Sequence, residues 1–247
     1  MNINKSYLLM TVLFCFTACT PPLTQKDAGI KAYLNKQYKI AYTKLFPIAK
    51  KGDPEALYCL ALMYNSGKGV KQNPQTAFRY CIQAAKYNYP KAQFTVAQMF
   101  LYGLGTEKND LKAVEWLQKA AKQDISIAYI QLAACYASGR GVKKDMVKAI
   151  DILREAASKD NNPIAYARLG ALYYMGEGVE QDYEQAFQYF QKAAEYDIAD
   201  SQYLLAKMYA KGKGIEKNIQ KAHEYLCRAG KHGHPKAQLY LGHLLLQ

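Results

Sequence analysis

The short motifs that mark common enzyme classes are missing from this 247-residue sequence. It has no Gly-x-Ser-x-Gly elbow, and no serine is followed three residues later by lysine, which argues against serine hydrolases and acyl-serine penicillin-binding enzymes. His223-Glu224 begins like a zinc-protease helix, but the second histidine is absent and a metal would lose one ligand. We therefore predict no catalytic site, no metal site and no cofactor.

Hydrophobic runs long enough to cross a bilayer are also absent from the N-terminus. The run from Tyr7 to Phe16 is too short for a membrane span, but it suits the apolar core of a signal peptide. Lys5 is the one charge before it, and Thr17-Ala18-Cys19 follows. This small-small-cysteine ending resembles a bacterial lipobox, although Phe16 stands where that pattern prefers an aliphatic residue.

The lipobox resemblance implies a lipoprotein signal peptide over residues 1–19, with diacylglycerol on Cys19 and a short tether over residues 20–25. Thr20 follows the cysteine where aspartate would imply retention, so by the same resemblance the expected location is a bacterial envelope, at the outer membrane. Two alternatives stay open. One is ordinary secretion with cleavage elsewhere, and the other is an uncleaved anchor or a cytosolic chain.

Internal repetition dominates the rest of the chain. A Gly-x-Gly step occurs five times, and the first glycines are 36, 36, 37 and 36 residues apart. A period in this range is typical of a solenoid, in which each unit buries its apolar face against its neighbours. One extra loop residue at positions 160–163 accounts for the 37-residue interval. The steps are Gly67-Lys68-Gly69, Gly103-Leu104-Gly105, Gly139-Arg140-Gly141, Gly176-Glu177-Gly178 and Gly212-Lys213-Gly214.

Each period is predicted to hold two helices of about a dozen residues, because apolar residues recur at i, i+3, i+4 and i+7. Pro54–Ser66 and Gln75–Tyr87 show this pattern in the first unit. The first glycine of each step is placed to end the first helix, with backbone angles that other residues adopt only with strain. The sequence therefore predicts an all-α protein.

The residues from Ala165 to Asp182 follow the pattern A-x-x-x-L-[AG]-x-x-Y-x-x-G-x-G-V-x-x-[DN]. This pattern resembles the Sel1-like repeat, a relative of the tetratricopeptide repeat. The resemblance covers residues 52–247 and implies a right-handed α/α superhelix with five full repeats and a final single helix. Residues 26–51 lack the Gly-x-Gly step and are predicted to form a degenerate N-terminal capping hairpin.

Of the six cysteines, four lie beyond the signal segment. Cys59 and Cys81 fall on the two predicted helices of one repeat, and a disulfide between them is geometrically conceivable in an oxidising compartment. The alternative is that both are small buried apolar residues. Some Sel1-like proteins carry a cysteine pair in every repeat, but alanines such as Ala85 and Ala92 occupy those positions here.

Equivalent positions of the first helices predict an apolar and aromatic strip on the concave side of the solenoid. An exposed apolar groove marks an interaction site. Tight superhelical curvature, with these side chains packed on one another, is the equally weighted alternative. The residues expected to bind a protein ligand are Tyr58, Phe94, Ile130, Tyr174, Tyr203 and Lys207.

The resemblance implies a membrane-tethered scaffold that holds a protein or peptide in the bacterial envelope or at a host interface. An enzyme or enzyme modulator of peptidoglycan metabolism is the alternative, and a purely structural spacer is a third reading. The formal net charge of +13 favours anionic surfaces. No nucleic-acid motif is present, so nucleic acid is not an expected partner, and neither is a small-molecule substrate.

Overall fold

The computed structural model describes residues 24–245, and this part of the chain consists of thirteen α-helices without a strand. Consecutive helices pack side by side along the whole described chain. The predicted all-α repeat fold is confirmed. The helices are α1 (Gln25–Leu34), α2 (Tyr38–Lys50), α3 (Pro54–Ser66), α4 (Pro74–Lys86), α5 (Pro90–Tyr102), α6 (Asp110–Ala121), α7 (Ser126–Ser138), α8 (Met146–Asp160), α9 (Pro163–Met175), α10 (Tyr183–Glu195), α11 (Ala199–Lys211), α12 (Ile219–Lys231) and α13 (Pro235–Leu245).

The odd-numbered helices from α3 to α13 are the first helices of the repeats, and the even-numbered helices from α4 to α12 are the second helices. Each second helix begins after an asparagine or aspartate whose side chain accepts a hydrogen bond from a backbone N–H in the first turn. Such a cap satisfies one of the amide groups that a helix start leaves unpaired. The caps are Asn73, Asn109, Asp145, Asp182 and Asn218.

The two glycines of each Gly-x-Gly step have different roles. The first glycine ends the first helix in the left-handed conformation, as Gly139 does after α7 with a φ of 75°. The second glycine lies against the start of the preceding repeat's second helix, as Gly141 does against the Asp110 carbonyl at the start of α6. Arg140, between them, bonds to the Asp110 carboxylate and to the Leu101 carbonyl. The step therefore ends a helix and also docks one repeat on the next.

Small residues and large residues alternate through the core. Ala84, Ala120, Ala156 and Ala193 are fully buried where a first helix and a second helix approach closely, and leucine, methionine and phenylalanine side chains fill the wider layers. The buried residues form a nearly continuous cluster from α1 to α10, and a second cluster surrounds Phe190 and Leu205. The packed core of residues 24–245 leaves the faces and edges of the fold as places for a binding site.

Boundaries differ from the sequence expectations at the start of α1 and at the end of α8. Helix α1 begins at Gln25, so the last residue assigned to the tether is helical. The hairpin expected over residues 26–51 consists of α1 and α2. The residue that lengthens one repeat extends α8 to 15 residues, and Asn161 then ends this helix with a φ of 48°. The additional residue lengthens the helix rather than the loop, and Asn161 adopts the left-handed conformation that Asn88, Asp124 and Asp197 adopt after other second helices.

Candidate functional site

Three pockets of the same construction open between neighbouring first helices, with a second helix behind them. They lie between α3 and α5 over α4, between α7 and α9 over α8, and between α11 and α13 over α12. Their volumes are about 90, 220 and 460 Å³ in that order. We call these three pockets the pocket row. They all lie on one face because the same repeat positions line each of them.

The register of the repeats explains how the pockets correspond. Leu62, Ala134 and Lys207 occupy one equivalent position, and each of them lines its pocket. Small side chains of the second helices form the floor at another equivalent position, namely Ala77, Ala149 and Ala222. A small floor residue leaves space between two first helices that a larger one would fill. The three pockets therefore occupy equivalent places in their repeats.

The pockets differ in charge. Neutral side chains line the α3–α5 pocket. The α7–α9 pocket carries one charge of each sign, on Arg168 and Glu177. The α11–α13 pocket, which we call the C-terminal pocket, carries Lys207, His223 and Lys236, and its lining within residues 24–245 includes no aspartate or glutamate. One scaffold thus presents three pockets of different electrostatic character.

Aromatic rings shape the C-terminal pocket. Tyr203 stacks on His234, with ring centroids 4.0 Å apart and planes 18° from parallel. The Nζ atom of Lys207 lies 5.8 Å from the Tyr203 ring centroid, which is within the range of a cation–π contact. Ile219 and Tyr240 each stay 55% exposed at the rim. Ala206, Ala222 and Leu226 complete an apolar interior, so a basic and aromatic rim surrounds an apolar floor.

Comparisons with known proteins agree with the repeat architecture. The family model described as Sel1 repeat matches five segments that together cover well over half of the chain: residues 54–86, 90–125, 126–161, 163–195 and 199–234. The chain belongs to the Sel1 repeat family. Sel1 repeat proteins are generally scaffolds for protein–protein interactions and mostly lack catalytic activity. The comparison with curated proteins gave no significant match.

Two solved Sel1 repeat structures are similar to this member of the family. A Sel1 repeat protein from Oxalobacter formigenes is 32% identical, with a TM-score of 0.79, and the match covers 85% of this chain and 86% of that one. A protein from uropathogenic Escherichia coli, described as a protective antigen with an SLR fold, is 26% identical with a TM-score of 0.84. The match covers 99% of this Sel1 repeat chain but 52% of the E. coli protein, so this chain spans about half of that length.

The structure separates the residues that were expected to line one strip. Tyr203 and Lys207 line the C-terminal pocket. Tyr58 is half-buried, because its ring packs 5.3 Å from that of Tyr89 and its hydroxyl lies 3.2 Å from Thr95 Oγ1. The side chains of this part of the strip therefore pack between Sel1 repeats.

The remaining strip residues lie further from the surface. Phe94 is half-buried and packs against the core. Ile130 is 5% exposed and belongs to the core, so it does not reach the face on which it was expected. Tyr174 is half-buried and packs edge-on against Tyr183, with ring centroids 5.2 Å apart. The aromatic strip is thus largely packing, and the openings lie at the neighbouring repeat position.

Cys59 and Cys81 are buried free thiols, so the disulfide considered from the sequence is not formed. The Cys81 thiol lies 3.6 Å from the Ala92 carbonyl oxygen of the next repeat. Burial raises the pKa of Cys81 to about 12 and that of Cys59 to about 11. Both thiols therefore stay protonated at neutral pH and act as small core residues.

The lipidation residue Cys19 and the signal segment lie outside the described residues 24–245. Within the described part of the chain, no helix combines the length and the hydropathy that a membrane span requires.

Among the basic and aromatic residues that line the C-terminal pocket, the sequence analysis did not predict His223, Lys236 and Tyr240. A usable signal was present in the register of the repeats. Lys236 corresponds to Lys91, and Tyr240 to Thr95, so both could have been placed near the face that carries Lys207. In the sequence, His223 stands out only as the first residue of an incomplete zinc-protease motif, and nothing there indicates that a second-helix residue lines the face of the first helices.

Proposed function

We propose that this Sel1 repeat protein is a lipid-anchored scaffold of a bacterial envelope, and that its pocket row holds a protein partner. The pocket row carries this proposal, because it offers several evenly repeated openings on one face of the solenoid. A flexible or extended partner can place successive side chains in successive pockets. Such a partner would gain affinity from several modest contacts rather than from one deep cleft.

The anchor part of the proposal is supported by the N-terminal sequence. The apolar run before Thr17-Ala18-Cys19 and the similarity of this ending to a lipobox favour attachment through Cys19. The description of the E. coli relative as a protective antigen fits an envelope protein that faces outward. A lipid on Cys19 would leave few residues between the membrane and α1, which starts at Gln25. The scaffold would therefore stay close to the membrane surface.

Partner capture tests the pocket row. We would replace Leu62 and Ala134 with glutamate and compare cross-linked partners recovered from intact cells with those of the wild type. Gln83→Glu and Gln191→Glu form the matched control, because both residues are exposed on second helices outside the pockets and add the same charge. We expect the pocket variant to lose the partners that the control retains. Equal recovery by both variants would contradict the proposal.

Cell fractionation tests the anchor. Cys19→Ala should abolish labelling with palmitate and release the protein from membranes, because Cys19 is the proposed site of the lipid. A variant that still labels and pellets with membranes would show that the lipoprotein interpretation is wrong. Cys227→Ala is the control, because Cys227 is the exposed cysteine of the described chain.

A further inference from the structure

We propose that the C-terminal pocket binds an acidic peptide segment in which carboxylates flank one bulky apolar side chain. This inference rests on the proposed scaffold function and specifies the chemistry of a partner at one end of the pocket row.

The volume and the floor suit an apolar side chain. The pocket encloses about 460 Å³, which lies within the range of common ligand pockets. Ala206, Ala210, Ala222 and Leu226 offer no hydrogen-bonding side-chain atoms to an occupant. An aromatic or large aliphatic side chain would replace water there and would face the ring of Tyr203.

The basic side chains around the floor favour a ligand that carries carboxylates. Lys207 belongs to α11 and Lys236 to α13, so cationic side chains approach from two helices, and the His223 side chain of α12 adds a hydrogen-bonding group. Within residues 24–245, none of the three side chains forms an ion pair. The nearby Asp200 places its Oδ1 atom 3.7 Å from Nε2 of His234, the residue whose ring stacks on Tyr203. The basic rim is therefore available to carboxylates on the ligand.

The positions of Lys207, His223 and Lys236 on three helices favour an acidic peptide over a single phosphate or carboxylate. A single phosphate or carboxylate could bind two bases at one edge, but it would leave the apolar floor empty. A peptide with carboxylates on both sides of an apolar residue fills the floor and approaches more than one basic side chain. The other two pockets lack this combination, because one is neutral and the other carries both signs of charge. We therefore place acidic-peptide binding at the C-terminal pocket.

Fluorescence anisotropy with defined probes tests the inference. The full chain, purified in detergent, is titrated against three labelled peptides: Asp-Glu-Phe-Glu-Asp, Asp-Glu-Ala-Glu-Asp and Lys-Arg-Phe-Arg-Lys. We expect binding of the first peptide, at least about tenfold weaker binding of the alanine peptide, and no binding of the basic peptide. Binding should weaken with added salt, because the carboxylate contacts are partly exposed.

Charge reversal locates the contact. Lys207→Glu with Lys236→Glu should weaken binding of Asp-Glu-Phe-Glu-Asp by at least about tenfold, since like charges then face each other. Lys211→Glu with Lys231→Glu is the matched control, because these two lysines, on α11 and α12, are exposed outside the pocket and the net charge changes equally. Circular dichroism verifies that both variants fold.

Three outcomes would overturn the inference. The first is equal weakening by both double variants, which would indicate general attraction to a basic protein. The second is equal affinity for the phenylalanine and alanine peptides. The third is that Lys207→Glu with Lys236→Glu impairs binding to phosphatidylglycerol vesicles but not to the peptide, which would assign the pocket to a lipid surface. The scaffold proposal would stand if the Lys207→Glu and Lys236→Glu variant still captured partners that the Leu62→Glu and Ala134→Glu variant loses.

Discussion

Replacing the second glycine of a Gly-x-Gly step should destabilise the solenoid more than replacing the first. Gly139 and Gly141 have nearly the same backbone conformation, with φ values of 75° and 73°. Their surroundings differ. A Cβ atom at Gly139 would lie 3.2 Å from Lys144 Cβ and 3.4 Å from the Lys144 amide nitrogen, a tight contact that a shift of a few tenths of an ångström would relieve. A Cβ atom at Gly141 would lie 2.9 Å from the Leu111 amide nitrogen and closer still to the Asp110 carbonyl, where α6 begins.

The difference can be given a magnitude. An alanine in the left-handed conformation costs about 1–2 kcal/mol, of which about 0.4–1 kcal/mol is offset because alanine restricts the unfolded chain. Gly139→Ala should therefore destabilise by about 1 kcal/mol. Gly141→Ala adds the displacement of a helix start between two repeats, an overpacking cost of about 1–3 kcal/mol. We expect a total of about 2–4 kcal/mol for Gly141→Ala.

Urea unfolding followed by circular dichroism measures both effects. Gly233→Ala is a further control, because Gly233 has a φ of 88° and no neighbouring atom within 4 Å of the added Cβ. It should behave like Gly139→Ala. If Gly141→Ala lowers the unfolding midpoint no more than the other two variants, the second glycine is required for its conformation alone, and the docking role assigned to it is wrong.

Three further predictions concern caps and thiols. Asn109→Ala should lower the free energy of unfolding by about 1 kcal/mol in urea titrations, because the Lys112 N–H loses its side-chain acceptor. At pH 8 a disulfide reagent should modify exposed Cys227 quickly but buried Cys59 and Cys81 only after unfolding, as a comparison with Cys227→Ser would reveal. The free energy of unfolding should fall as the pH rises from 9.0, the ordinary pKa of a thiol, towards the raised pKa values of about 11 for Cys59 and about 12 for Cys81. In this range the folded state keeps the two thiol protons, whereas the unfolded chain loses them. Substituting both cysteines with alanine should reduce this alkaline loss.

The helices could be predicted from the sequence because their limits are set locally. Pro54 and Gly67 bracket α3, and the apolar spacing between them fits one helical face, so its extent agrees with the prediction. The lengthening of α8 was harder to predict, because Asn161 can end a helix as readily as it can form part of a loop. Local chemistry thus determines which segments are helical, and it determines less strictly where an inserted residue is placed.

The binding face was only partly predictable for a different reason. The repeat period shows which positions are equivalent, but the distance between adjacent first helices depends on side chains from three helices at once. Tyr58 reaches the neighbouring repeat and packs there, whereas Lys207 at the adjacent position lines an open pocket. Spacing alone could not distinguish the packed position from the open one, because both lie away from the core of their own repeat.

Filling one pocket at a time with a large side chain would distinguish peptide binding at the C-terminal pocket from binding along the whole pocket row. Ala210 and Ala137 are equivalent, half-buried residues that line the C-terminal pocket and the α7–α9 pocket. Tryptophan at either position costs about 0.5–0.7 kcal/mol in helix propensity and should leave the protein folded, because its side chain can occupy the pocket. We expect Ala210→Trp to weaken binding of Asp-Glu-Phe-Glu-Asp by at least about tenfold, since it removes the space for phenylalanine, and Ala137→Trp to leave it unchanged. Equal weakening by the two substitutions would mean that the peptide lies along the row and that the C-terminal pocket has no special role, because the α7–α9 pocket is separated from it by a full repeat.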